Sequence, residues 1–379
     1  MTGDMIPSIK RGMNVLTNND MITVPQAVGL MIMTILEIGL LILPREVAIY
    51  AGSDGWILVI VGGLLALAGS LVLSTLIRRF PGETFIEYSG KVIGKFLSFV
   101  VGVGLVIHFT LATSIVIRTF TDVTNAFMLE NTPREFIIIT QMLLTVYLIR
   151  HGIEPTARIA EILFPILIVP IFAMYLIAIP KADFTELLPV FNTPIKSMAM
   201  GSLNTMFSFF GVEILLMLGP YLKRPDKIYW TMFVSVGVAT LIYLFVVVIT
   251  FVGIGVQNTK MLIWPGMTII RMITAPGRVF ERLDALAMAL WTIASFTTAN
   301  SLYLTGALTA FHLTKAREFK FFISILFPWI YFIASLPPNI IATEKLVYVV
   351  KWGSISVGII IPFFILLLAV ILKKKGGTA

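Results

Sequence analysis

Glu37-Ile38-Gly39-Leu40 lies at the midpoint of the first of ten apolar runs, and Phe210-Gly211-Val212-Glu213 lies near the middle of the sixth. Pro44, Arg45 and Glu46 follow the first motif, and Gly219-Pro220 follows the second. Glycine weakens a helix and lets other groups approach its backbone. A carboxylate at bilayer depth is costly enough that it normally faces a partner or a cavity. Both helices are therefore expected to open at these points. The two runs stand five spans apart, an odd number, so runs 1–5 and 6–10 must have opposite orientations. That is the pattern of an inverted repeat, in which discontinuous helices meet at the midplane and offer half-helix ends to ligands and ions. Either glycine alone would read as a packing contact between helices, but the matched Gly/Glu pair favours a site.

The rest of the chain agrees with a life in lipid. Of its 379 residues 58% are hydrophobic and 13% charged, and the mean hydropathy is +0.96; this lies outside the range of soluble domains. Only helices or closed barrels satisfy every backbone group in hydrocarbon, and the runs have helix length without the short alternation of a barrel. They place helices at 25–50, 56–77, 96–127, 135–149, 156–179, 194–221, 228–254, 279–312, 319–336 and 346–372. The fold class expected is an all-α polytopic membrane protein with a 5+5 inverted repeat.

The net charge of +8 is explained by basic cytoplasmic loops rather than by nucleic acid. With a cytoplasmic N-terminus, 17 of the 28 lysines and arginines fall on the inner side, so both termini are expected in the cytoplasm. Residues 1–24 lack the apolar core and small-residue cleavage site of a signal peptide, which makes the first helix a retained span. The domain reading is a cytoplasmic segment at 1–24, five-helix repeats at 25–179 and 194–372, and a basic cytoplasmic tail at 373–379. Zero cysteines and three scattered histidines argue against disulfides and metal centres, and no cofactor is expected. The chain carries no His-Glu-x-x-His, no Gly-x-Ser-x-Gly and no paired catalytic aspartates, so an enzyme is not expected.

Other polar residues reach the midplane. His108 falls at the centre of the third helix and Thr298 near that of the eighth. His108 shares a face with Ala112, and Thr298 with Leu302, at i, i+4 spacing; a polar group beside an apolar one suits a pocket that orients and encloses a small molecule. Each also has a plain alternative. Thr298 could return its hydroxyl to its own backbone, and His108 could bond between helices. Glu213 could serve the site, hold an ion, or pair with Arg118 on the third helix. Ile263-Trp264-Pro265-Gly266 and the stretch ending at Ala275-Pro276-Gly277 suggest a short re-entrant or surface helix acting as a lid. Arg78 to Lys95 reads as an amphipathic cytoplasmic segment.

Five motifs taken in order carry a resemblance: Glu37-Ile38-Gly39-Leu40-Leu41-Ile42-Leu43-Pro44, Arg79-Phe80-Pro81-Gly82-Glu83, Phe209-Phe210-Gly211-Val212-Glu213, Ile263-Trp264-Pro265 and Phe280-Glu281-Arg282-Leu283-Asp284. Together they resemble the B-subunit family of spore germinant receptors, in the amino acid–polyamine–organocation superfamily with a LeuT-like fold, over nearly the whole chain from Val24 to Lys373. The resemblance implies a nutrient-sensing subunit of the spore inner membrane, assembled with an A-type membrane subunit and a C-type lipoprotein. It also implies an amino acid or small amine ligand bound at Glu37, Ile38, Gly39, His108, Ala112, Phe210, Gly211, Val212 and Thr298. The chain departs from the superfamily's Gly-x-Gly in the first helix, where Glu37 replaces the first glycine. An ionised Glu37 would repel a ligand carboxylate, so it is expected to bind a cationic amine, be protonated, or coordinate a coupling ion. The competing function is a secondary transporter coupling amino-acid or amine uptake to protons or sodium.

Overall fold

The computed structural model describes residues 20–179, 182–272 and 283–376. The N-terminal segment to residue 19, the Ala275-Pro276-Gly277 turn and Phe280-Glu281-Arg282 lie outside the described residues.

Within them, helices stand at the positions of all ten expected spans. The first five are α1 (Val24–Ala51), α2 (Gly55–Arg79), α4 (Lys95–Phe127), α5 (Arg134–Ile149) and α6 (Ile153–Ala178). The last five are the broken pair α7 (Ile195–Met206) and α8 (Leu215–Leu218), then α9 (Ile228–Ile254), α12 (Leu283–Thr314), α13 (Phe319–Ser335), and α14 (Ile340–Ile355) continued through one π turn into α15 (Ile361–Ile371). Short helices fill the joints: α3 (Phe85–Ile93), α10 (Val256–Met261) and α11 (Pro265–Met272). Val24–Arg79, Lys95–Phe127, Ile153–Ile177, Pro225–Ile254 and Ile340–Ile371 are each long and apolar enough to cross a membrane, and the bent pair Ile195–Phe209 and Val212–Tyr221 makes a sixth. Large apolar side chains such as Leu64, Phe96, Phe136, Val169 and Leu241 face outward. Such a surface needs lipid to cover it.

Local chemistry sets the ends. Thr23 and Gln26 form a reciprocal capping box ahead of α1, with Pro25 in its first turn. Thr84 and Glu87 do the same for α3, the amphipathic segment expected between the second and third spans. The positive φ of Gly52 separates α1 from α2. The chain between α6 and α7 is pinned by the buried Asp54 carboxylate, which accepts the amide protons of Phe191, Asn192 and Thr193 at 2.6–2.9 Å.

α1 is enclosed by α2, α6, α9 and α12 and crosses the broken span. This central position puts Glu37 beyond the reach of solvent, at 2% exposure. The short α11 goes further inward than a lid over a mouth. Its Gly266 rests on the Leu40 carbonyl so closely that a side chain there would collide, and the Tyr175 hydroxyl donates to the Gly266 carbonyl at 2.8 Å.

Candidate functional site

The two expected breaks differ. The sixth span opens: α7 tightens into a 3₁₀ turn at Phe207–Phe209, Phe210 is extended (φ −67°, ψ 152°), and Gly211 turns the chain at φ +122° before a second 3₁₀ turn at Val212–Ile214. The segments on either side are bent by 50°. The first span stays closed, because α1 is helical without interruption through Glu37 and Gly39. Gly39 serves packing here. The Tyr243 side chain of α9 lies where a Cβ on residue 39 would stand. Its hydroxyl is 2.6 Å from the Ile35 carbonyl and 2.9 Å from the Ser208 carbonyl, bridging α1 to the broken span. Thr298 likewise sends its hydroxyl to the Met33 carbonyl of α1 at 2.9 Å, rather than to its own helix.

A cavity of about 110 Å³ lies where these elements converge. Of the expected ligand residues, Glu37, Ile38, Gly39, Ala112, Phe210, Gly211 and Thr298 line it, as does Leu302, the i+4 neighbour of Thr298. Two do not. His108 stands behind the wall, 3.7 Å from Glu213 and 3.4 Å from the Ser354 hydroxyl. Val212, one residue past the turn, faces a separate small void with Ala66 and Ser70.

Glu213 lines the cavity and closes the break on itself. One carboxylate oxygen accepts the Gly211 amide at 2.7 Å, and the other faces His108. The pairing of Glu213 with Arg118 is not found. Arg118 instead bonds Asp122 one turn along α4 at 3.1 Å and the Ala334 carbonyl at 3.3 Å, and Asp122 is also held by Thr343 at 2.9 Å. Glu37 is different again. Its Oε1 finds no hydrogen-bond partner among the described residues, and a buried carboxylate left in that state is unfavourable.

α14 supplies residues that sequence reasoning missed. Val347, Val350, Lys351 and Ser354 line the cavity, and Lys351 is its one cation among the described residues. The signal available was a lone lysine inside a membrane run, which is expensive enough to suggest a partner. That partner is Glu46, paired through Oε1. A wall of apolar side chains with two carboxylates and one tethered ammonium can hold a small polar solute by its charges. Among the described residues no group of three or more His, Asp or Glu is placed to hold a metal.

The profile of the family described as "Spore germination protein" matches residues 21–343. The chain belongs to this family. Spore germination protein YndE of Bacillus subtilis (strain 168) is 29% identical over 319 residues, 84% of this chain and 88% of that one. Spore germination protein A2 of the same organism is 26% identical over 357 residues, 93% and 96% of the two chains. GerLB of Bacillus cereus is 24% identical over 348 residues, 91% and 93%. Two solved structures share the architecture. MhsT in complex with L-phenylalanine superposes with a TM-score of 0.72 at 16% identity, covering 92% of this chain and 89% of that one. Mhp1, a nucleobase-cation-symport-1 family transporter in a closed conformation with bromovinylhydantoin bound, gives 0.65 at 10% identity, covering 93% and 80%. The chain thus has the LeuT-like membrane fold, in a family of spore germination proteins.

Proposed function

We propose that this spore germination protein is the nutrient-sensing subunit of a germinant receptor, binding an amino acid or similar small nutrient in the cavity between α1, α4, the broken span, α12 and α14. The observation that carries the reading is the convergence of seven expected ligand residues on one cavity beside the turn at Gly211. The fold shared with MhsT, whose structure holds L-phenylalanine, is consistent with a ligand at this depth. Helix movement on binding would pass to an A-type membrane subunit and a C-type lipoprotein in the spore inner membrane, with both termini cytoplasmic. In this arrangement residues 25–179 and 194–372 are the two five-span repeats, flanked by cytoplasmic segments at 1–24 and 373–379. A ligand triggers such a movement only through different affinities for two states.

Reconstitution tests the reading. The purified chain in liposomes should bind a labelled amino acid saturably and accumulate none under a proton or sodium gradient. Gradient-driven accumulation would replace the receptor with a coupled transporter.

A further inference from the structure

Lys351 lies on the wall between two cavities. Together with Ile38, Ile42 and Val347 it lines both the ligand cavity and a larger neighbouring one of about 360 Å³. The larger cavity also contains Glu46, Asn204 and Ile340. Glu46 of α1 holds Lys351 through one carboxylate oxygen and accepts the Asn204 side-chain amide at 3.2 Å on the other. The pair ties α14 to α1 and to α7. Both side chains are largely buried, at 17% and 19% exposure, and the ammonium sits 6.0 Å from the centre of the Phe207 ring. Ion pairs in such surroundings are screened less than at the surface. A lysine has a flexible stem and three rotatable donors, and Lys351 borders both cavities.

The ligand cavity presents complementary needs. The Gly211 amide is already taken by Glu213, and α1 is closed, so neither of these two backbone positions offers a free amide to a ligand carboxylate. Lys351 is the one cationic side chain among the described residues that line the cavity, and Glu37, one of whose carboxylate oxygens has no hydrogen-bond partner among them, lines it too.

We propose that a zwitterionic ligand places its ammonium on Glu37 and its carboxylate on Lys351, drawing Lys351 from Glu46 and so unfastening α14 from α1 and α7. The inference rests on the ligand-binding reading above and adds to it the group that reads the carboxylate and the ion pair that reports it. An amine without the carboxylate binds Glu37 and leaves the Glu46–Lys351 pair intact.

The absence of cysteine makes the test direct. The full chain carrying Ile340→Cys is placed in nanodiscs and titrated with L-alanine, L-valine, L-leucine and L-phenylalanine, and with the decarboxylated amine of each. The thiol's labelling rate reports the larger cavity. Wild-type chain should bind at least one amino acid about tenfold or more tighter than its amine, the scale of a charge-assisted contact. That amino acid, but not its amine, should speed labelling. Lys351→Met should remove the preference and the labelling response, weakening the amino acid about tenfold more than its amine. Glu46→Gln should tighten the amino acid by weakening its competitor. Should Lys351→Met fail to fold with Glu46 unpaired, the double variant Glu46→Gln/Lys351→Met is expected to fold and show the same lost preference. If Lys351→Met, or the double variant in its place, weakens acid and amine equally, or neither, Lys351 does not read the carboxylate and the proposal falls while ligand binding stands. If no compound binds the wild-type chain saturably, the ligand-binding reading falls and takes the proposal with it.

Discussion

The carboxylate of Glu213 accepts the amide proton of Gly211, two residues earlier, at 2.7 Å. The break in the sixth span is thus capped by its own sequence. Glu213→Ala should leave that buried N–H unpaired and cost about 1–3 kcal/mol, whereas Glu213→Gln keeps an acceptor and should cost less. Thermal unfolding of both variants in nanodiscs measures the difference; equal losses would mean the cap contributes nothing.

Gly39 is indispensable for a different reason from the one its place in a Gly/Glu motif suggests. Gly39→Ala should displace Tyr243, since the two would overlap, and overpacking of this kind costs about 1–3 kcal/mol. Tyr243→Phe keeps the ring but loses the hydroxyl's hold on α1 and the broken span, for a loss of about 1 kcal/mol. In Gly39→Ala/Tyr243→Phe the second change should recover part of the first loss, because it removes the colliding oxygen. Strict additivity in the double-mutant cycle would refute the contact.

Thr298 separates occupancy from bonding. Thr298→Leu fills the cavity and should abolish ligand binding, while Thr298→Val keeps the shape, loses the hydrogen bond to Met33 and should bind normally with stability lowered by about 1 kcal/mol. Binding isotherms on the two variants settle it, and loss of binding by both would move the hydroxyl itself into ligand contact.

Acid should stabilise the start of the described chain. Burial pushes the Asp20 carboxyl above its ordinary 3.8, the Ile153 amide opposes the shift, and the nearby Glu154 adds to it. The folded state then holds this proton more tightly than the unfolded one, so the contribution is fully present below 3.8 and is lost as pH rises through the raised folded value. Asp20→Asn should flatten this part of the pH–stability curve and raise stability at neutral pH. A curve parallel to wild type would exclude Asp20 as its source.

The spans were legible because a membrane run needs only length and hydropathy, and the paired Gly/Glu motifs fall on one cavity. What the residues could not distinguish was the use of each glycine. Gly211 carries a positive φ and opens its helix; Gly39 has the same local chemistry but seats a tyrosine 204 positions away, a partner that no local pattern names. His108 and Ala112 share a helix face, yet Glu213 stands between His108 and the cavity, which depth alone does not reveal. The contribution of α14 was missed because its apolar run resembles any other; Lys351 was its single distinguishing mark.

The bridging hydroxyl of Tyr243 has one proton for two carbonyls, at Ile35 and Ser208. While the first and sixth spans stay together, that proton can be shared; once they part, it must go with one side. Separation of the spans is therefore a choice between two discrete hydrogen-bonded arrangements rather than a gradual stretch, and a junction of that kind answers in steps.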